Sequence, residues 1–258
     1  MMQFIDTHSH LFLKEFDHDL DEVIQRARQS CIRAICLPNV DTSTIAPLMK
    51  LAQKYPGYCY PMMGLHPTSV KGNFKEELAS IETQLKKHEF IAIGEIGIDL
   101  YWDKSYINEQ HYVFKHQLDL ALEYELPVVI HARKSYPEIF RVLEEYSNEP
   151  LKGVFHSFTG NREDIDRINK FGFLFGLGGI VTFKNAGLAE NVSHIPVEKV
   201  IIETDSPYLS PIPKRGKRNE SSHVVHVAEK LAGIYNMKLD EIARITTANA
   251  IQLFKIKL

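Results

Sequence analysis

Short apolar segments alternate with longer amphipathic ones along the whole chain. Apolar or β-branched runs at 3–6, 34–37, 58–63, 91–95, 128–131, 153–156, 173–177 and 200–203 predict strands. Several of them lack polar alternation, as parallel strands do when both faces are covered. Between them, apolar residues recur at helical spacing over 20–29, 44–54, 74–87, 108–124, 137–146 and 163–170. Two further helical stretches, 223–235 and 239–254, close the chain, the last with Asp240 or a neighbour available as a cap. Strand–helix units repeated eight times in about 250 residues predict a closed (β/α)₈ barrel of the TIM type, an α/β fold, rather than an open sheet.

Length and composition narrow this picture. With 258 residues and no linker rich in Pro, Gly or Ser, the expectation is one barrel domain over 1–258. The irregular stretch 206–222, dense in Pro, Lys, Arg and Gly, follows the eighth strand and should form a long loop over the active face. No apolar run approaches the roughly 20 residues of a membrane span. Asp6, His8 and His10 interrupt the N-terminal segment, unlike a secretory signal. Cys31, Cys36 and Cys59 form no CxxC pair, which fits small buried hydrophobes in a reducing compartment. A cytoplasmic location without membrane contact or an obligate protein partner is therefore expected. The net charge of −3 excludes a broadly basic, nucleic-acid-coating surface, but not a local basic patch or metal-assisted capture of phosphate.

The candidate chemistry lies at strand ends. His8 and His10 follow the first strand at i and i+2, so two imidazoles can face the same side. Glu95 is expected to end the fourth strand, His131 the fifth, His156 the sixth and Asp205 the eighth. That is the face on which such barrels carry their chemistry. Imidazoles and carboxylates in an apolar barrel mouth are costly unless paired or coordinated. Independent core histidines would need the same coincidence on five strands. The donor set suits one or two ions of Zn²⁺, Mn²⁺ or Fe²⁺, with Mg²⁺ admissible where phosphate and water add oxygens. The ligands outnumber those of one tetrahedral site, which favours two ions. Glu95 is the candidate bridge, with His8, His10 and Asp205 on one ion and His131 and His156 on the other.

Taken together in this order, HxH, G-E-I-G-x-D, I-H-A-R, F-H-S-F-T-G and E-T-D-S-P-Y closely resemble the TatD-type metal-dependent deoxyribonucleases. The likeness runs from Phe4 to the Asn249-Ala250 region. It implies a (β/α)₈ fold and metal-dependent phosphodiesterase activity, as a 3′–5′ exonuclease on single-stranded or frayed DNA. Residue by residue, the family's ligands fall on His8, His10, Glu95, His131, His156 and Asp205. One departure is Ser221, where the family's basic loop often continues with proline after Asn-Glu. On this likeness Asp205 and Glu95 are the catalytic pair, Asp205 orienting the attacking water and accepting its proton.

Other residues are assigned more loosely. Glu203 either orients a ligand or meets substrate, with an ordinary buried ion pair as the alternative. Arg133 can grip a phosphate by its planar fork, or form a salt bridge. His66, after the third strand, is expected at substrate or supporting its loop. Lys214, Arg215, Lys217 and Arg218 are expected to overhang the metals and bind backbone phosphate, Arg215 and Lys217 foremost. Tyr101 and Trp102 can stack a base or pack their loop. His223 and His226 read as solvent-facing residues of a helix rather than as ligands. The rival activity is amidohydrolase-like cleavage of an ester, amide or lactone, including D-aminoacyl-tRNA deacylation. Many such enzymes bridge their metals with a carboxylated lysine, and here Glu95 stands at that position. A metal-free scaffold is the non-enzymatic reading, opposed by the intact ligand set.

Overall fold

The computed structural model describes residues 2–184 and 187–258. Its parallel strands are β1 (Phe4–Asp6), β2 (Ile32–Pro38), β3 (Cys59–Met62), β4 (Ile93–Asp99), β5 (Val128–Arg133), β6 (Gly153–Phe155), β7 (Leu174–Leu177) and β8 (Val200–Ile202). Regular pairing runs β1-β2-β3 and β4-β5-β6-β7-β8. Two seams close the ring. Met63 bridges Ile93 between β3 and β4, and Ser9 bridges Ser206 between the ends of β1 and β8. Backbone bonds span the second seam, from Thr7 N to Ile202 O at 3.1 Å, Asp205 N to His8 O at 2.9 Å and His10 N to Ser206 O at 2.8 Å. The barrel is therefore a closed parallel one, as the alternation of elements predicts.

Helices α1 (Leu20–Gln29), α2 (Thr42–Lys54), α3 (Phe74–Lys87), α4 (Ile107–Glu123), α5 (Tyr136–Glu145), α6 (Arg162–Lys170), α7 (Leu188–Val192), α8 (Val224–Tyr235) and α9 (Leu239–Phe254) intervene or follow. The short helix α7 is not foreseen by the sequence pattern, because its five residues are too few to show a period. Among the described residues, no helix is long and apolar enough to cross a membrane.

Strand alternation divides the core into two layers. Phe4, Ile35, Leu37, Val128, Ile130 and Phe155 pack outward in the larger cluster with the helices. Ile5, Ala34, Cys36, Met62, Ala92, Val129, Val154 and Ile201 form a separate inner cluster, together with Ala250, Phe254 and Ile256. Counting two residues onward from inner positions gives His131 from Val129, His156 from Val154 and Glu203 from Ile201. Those side chains continue the same inward-facing rows toward the strands' C-terminal ends.

β4 departs from this rule. Glu95 does not end the strand, which continues to Asp99. The pairing with β5 steps from Gly94↔Val129 directly to Ile96↔Ile130, so Glu95 is the extra residue of a bulge. A bulge re-aims a side chain that strict alternation would send elsewhere, and this one turns Glu95 into the mouth. Likewise β5 runs past His131 to Arg133, and β8 stops at Ile202, before Asp205.

Candidate metal centre

Glu95 lies at the middle of the barrel mouth, 2 % exposed, and its two oxygens face different partners. Oε2 is 3.1 Å from His8 Nε2 and 3.8 Å from His10 Nε2. Oε1 is 2.7 Å from His131 Nδ1, 3.2 Å from His66 Nε2 and 3.4 Å from His156 Nε2. Asp205 Oδ1 joins the first side, 3.5 Å from His10 Nε2 and 3.9 Å from His8 Nε2. The imidazoles of His8 and His156 stack at 3.6 Å between centroids, joining the two sides. Every residue expected as a metal ligand is thus in one cluster.

The donor chemistry fits divalent cations. Three sets, His8–His10–Glu95, His8–His156–Asp205 and His66–Glu95–His131, each have ligand atoms within 4.8 Å of one another. His8 Nε2 and His10 Nε2 are 3.2 Å apart. Neither ring's Nδ1 has a hydrogen-bond partner among the described residues. Each neutral ring is therefore free to carry its proton on Nδ1 and offer the Nε2 lone pair to a shared ion. Imidazole nitrogen with carboxylate oxygen is the mixture that zinc, manganese and iron accept.

Outer partners fix the other three rings. Asp99 Oδ2 lies 2.9 Å from His131 Nε2, which holds the proton there and frees Nδ1 toward Glu95. Glu203 Oε1 lies 2.9 Å from His156 Nδ1 and accepts from Ser157 N at 2.6 Å, freeing His156 Nε2. Of the two places the sequence offers Glu203, the contact with substrate is not the one it takes. It is 1 % exposed and paired with His156, a position that orients that ring. Gly176 of β7 makes room for it, since a β-carbon there would collide with the Glu203 carboxylate. Asp99, the last residue of the G-E-I-G-x-D stretch, sits against the centre although the sequence pattern gave it no role. The signal was present, a carboxylate closing a strand whose residues are otherwise uncharged after Glu95.

His66 differs in turning its protonated nitrogen inward. Its Nδ1 accepts from Thr68 N at 3.1 Å, so the neutral ring carries its proton on Nε2. An N–H has no lone pair for a cation, and His66 therefore presents a hydrogen-bond donor to the mouth despite its distance from Glu95. Of its two expected places, the contacts with Thr68 show the one that supports its loop, while Nε2 faces the mouth.

The electrostatics follow from the crowding. Burial alone would raise Glu95, but His66, His156, His8 and His131 hold it well below the ordinary carboxylate range. Burial likewise opposes ionisation of Asp205, yet the hydrogen bond to His10 and the nearby imidazoles pull it down. Burial lowers His156, but Glu203 and Glu95 outweigh it and push the ring up to about 10, so a cation would have to displace a proton from Nε2. His8 is lowered by burial and by neighbouring His156. Both central carboxylates are ionised at neutral pH, the state a cation requires.

The cluster opens into a cleft of about 570 Å³ whose lining includes Arg133, Trp102, Thr68, Ile180 and Tyr208. Arg215 and Lys217 do not line it. The Arg215 guanidinium instead sits 4.2 Å over the Phe183 ring. Arg218 is bound to Asp19 and to Glu15 O, at 2.6 Å each. Asn219 Nδ2 donates to Thr204 O and Tyr208 O at 2.7 Å, and Glu220 pairs with Arg26 at 2.7 Å. The loop that was expected to overhang the metals is thus partly consumed in pinning itself to α1 and to the strand-eight turn. Ser221, the departure from the family pattern, starts a 3₁₀ turn and leaves these anchors intact.

Comparisons with known proteins agree with this geometry. A family model described as TatD related DNase matches residues 5–255. The uncharacterized metal-dependent hydrolase YabD of Bacillus subtilis (strain 168) is 42 % identical, covering 97 % of this chain and 98 % of its own. The 3′-5′ ssDNA/RNA exonuclease TatD of Edwardsiella piscicida is 30 % identical, over 94 % of this chain and 95 % of that protein. Among solved structures, YjjV, a TatD homolog from Escherichia coli K12, superposes with a TM-score of 0.92 at 28 % identity, covering 98 % of each chain.

Proposed function

The chain belongs to the TatD family of metal-dependent hydrolases, and from that premise we propose that it is a 3′–5′ exonuclease hydrolysing phosphodiester bonds of single-stranded DNA. The observation that supports this most is the divided Glu95 carboxylate, each oxygen facing its own set of imidazoles. On this reading one or two divalent ions would be held here, with Glu95 shared between His8, His10 and Asp205 on one side and His131 and His156 on the other. Such ions supply a nucleophile at neutral pH by acidifying water, and they offset charge on phosphate oxygens.

The chain's own groups do the rest. Asp205, ionised and beside His10, accepts the proton of the attacking water at a carboxylate oxygen. His66 donates its Nε2–H to a phosphoryl oxygen. Arg133, on the cleft wall, pairs with a neighbouring phosphate. The carboxylates of Asp99 and Glu203 hold His131 and His156 in the tautomers that expose the inward nitrogens.

The test is to strip the protein with chelator, restore single metals, and offer end-labelled DNA and RNA beside ester and D-aminoacyl-tRNA substrates. Stepwise shortening of the DNA strand from its 3′ end is the expected result. Hydrolysis of the carbonyl substrates with DNA left intact would favour the amidohydrolase-like alternative. Asp205→Asn is expected to lower turnover by about 10²–10⁴-fold while most bound metal is retained. Undiminished turnover in that variant would remove Asp205 as the proton acceptor.

A further inference from the structure

Trp102 is the only tryptophan in the chain, and it is 69 % exposed on the wall of the catalytic cleft. An indole left open to water beside an active site has given up the burial that its size would normally secure. The loop carrying it is nonetheless firmly placed. Asp99 Oδ1 accepts from Tyr101 N at 2.9 Å and from Trp102 N at 3.1 Å, while the same carboxylate's Oδ2 faces His131. One buried side chain thus fixes a ring of the metal centre and the backbone of this aromatic pair together.

The two aromatic rings are not equally engaged. The guanidinium of Arg133 lies 3.8 Å from the Tyr101 ring centroid and 5.3 Å from that of Trp102. The Tyr101 and Trp102 rings meet edge to face at 4.9 Å. Arg133 thus stands closer to Tyr101 than to Trp102, and most of the indole stays open to the cleft, 69 % exposed. Among the described residues, Arg133 has no carboxylate within 4.0 Å and donates no side-chain hydrogen bond. Its charge is held at the cleft wall without a counter-ion.

We propose that Trp102 and Arg133 form a nucleotide subsite. A base lies flat on the Trp102 indole, and the guanidinium pairs with a phosphate of the same strand. This deepens the nuclease reading and rests on it. An open indole face is sequence-tolerant, because every base has a π-face, and it demands a base released from its duplex stack. The subsite therefore selects single strands, and it does so beside the metals, since Arg133 is two residues beyond His131.

The sole tryptophan makes the subsite directly visible by fluorescence. The full chain is titrated with a short phosphorothioate-linked oligothymidylate, which resists hydrolysis. The same titration is made with an abasic strand of equal charge and with a blunt duplex. The base-bearing single strand is expected to quench Trp102, while the other two leave its emission nearly unchanged. Trp102→Ala should weaken binding of that strand about tenfold or more by anisotropy, with Trp102→Phe recovering part of the loss. Arg133→Gln should weaken base-bearing and abasic strands alike and reduce the salt dependence by about one charge. Absence of quenching, equal quenching by the abasic strand, or unchanged affinity in Trp102→Ala would overturn the subsite. Those outcomes are separable from the parent reading. A chain that cuts DNA without quenching loses only the subsite. One that quenches but cuts no DNA with any metal loses only the exonuclease.

Discussion

At the scale of single residues, Asp99 and Glu203 perform the same task on different rings, each holding a proton on the outer nitrogen so that the inner one is free. Neutralising either should loosen that hold without emptying the core. Asp99→Asn and Glu203→Gln are each expected to lower metal affinity by about 10–100-fold, as read by calorimetric titration, with thermal unfolding little changed. Unaltered affinity would mean that the inner ligands position themselves. The cluster was legible in the sequence because imidazoles and carboxylates at the mouth of an apolar barrel are too costly to bury singly, so their recurrence on five strands points to one shared site. The place of Glu203, under a ligand or at substrate, was not legible, since the period of two gives a side and not a depth. Asp99 was missed for a related reason. Its partners, His131 and the backbone of Tyr101 and Trp102, come together only once the barrel has closed.

At the scale of elements, the alternation of apolar and amphipathic segments located the strands to within a few residues, but it could not show the bulge. Pattern alone ends β4 at Glu95, whereas the bulge carries the strand four residues further and turns Glu95 inward. Directly after the bulge, Gly97 has φ +142° against the backbone of β5, and a β-carbon there would strike the His131 carbonyl. Gly97→Ala is accordingly expected to cost about 2 kcal/mol or more and to lower the calorimetric unfolding temperature by several degrees. An unchanged transition would show that β4 and β5 separate easily. The loop after β8 is a second case where pattern misled. Its basic run looked like a phosphate-binding arm, yet Arg218 and Glu220 face Asp19 and Arg26 of the α1 region.

That loop leads into His223, whose ring burial pulls down from 6.5 to about 4. The folded state prefers the neutral imidazole, so this contribution to stability is whole above pH 6.5 and is lost as pH falls toward 4. His223→Gln removes the titration. In denaturant unfolding, the wild-type advantage over the variant should shrink by about 1–2 kcal/mol between about pH 7 and 4, allowing for the ring's partial exposure to solvent. A difference that stays constant with pH would place the shift elsewhere.

At the scale of the whole molecule, eight short strands bring residues from position 8 to position 205 into one mouth, which is why no local motif defines the centre. The fold class could be read from the repeat of elements alone, and the order of ligands along the chain followed from it. What the sequence did not disclose is how the centre is divided, because the sorting of partners between the two oxygens of Glu95 depends on ring orientations set by distant groups. The division at Glu95 is also what the proposed chemistry needs, and it can be seen directly. Crystals grown with Mn²⁺ or Zn²⁺ and measured at the metal's absorption edge should show two anomalous peaks, one beside each Glu95 oxygen. The first should be coordinated by His8, His10 and Asp205 and the second by His131 and His156, with His66 outside both coordination spheres. A single peak, a peak bound by His66, or none within the mouth would contradict the account.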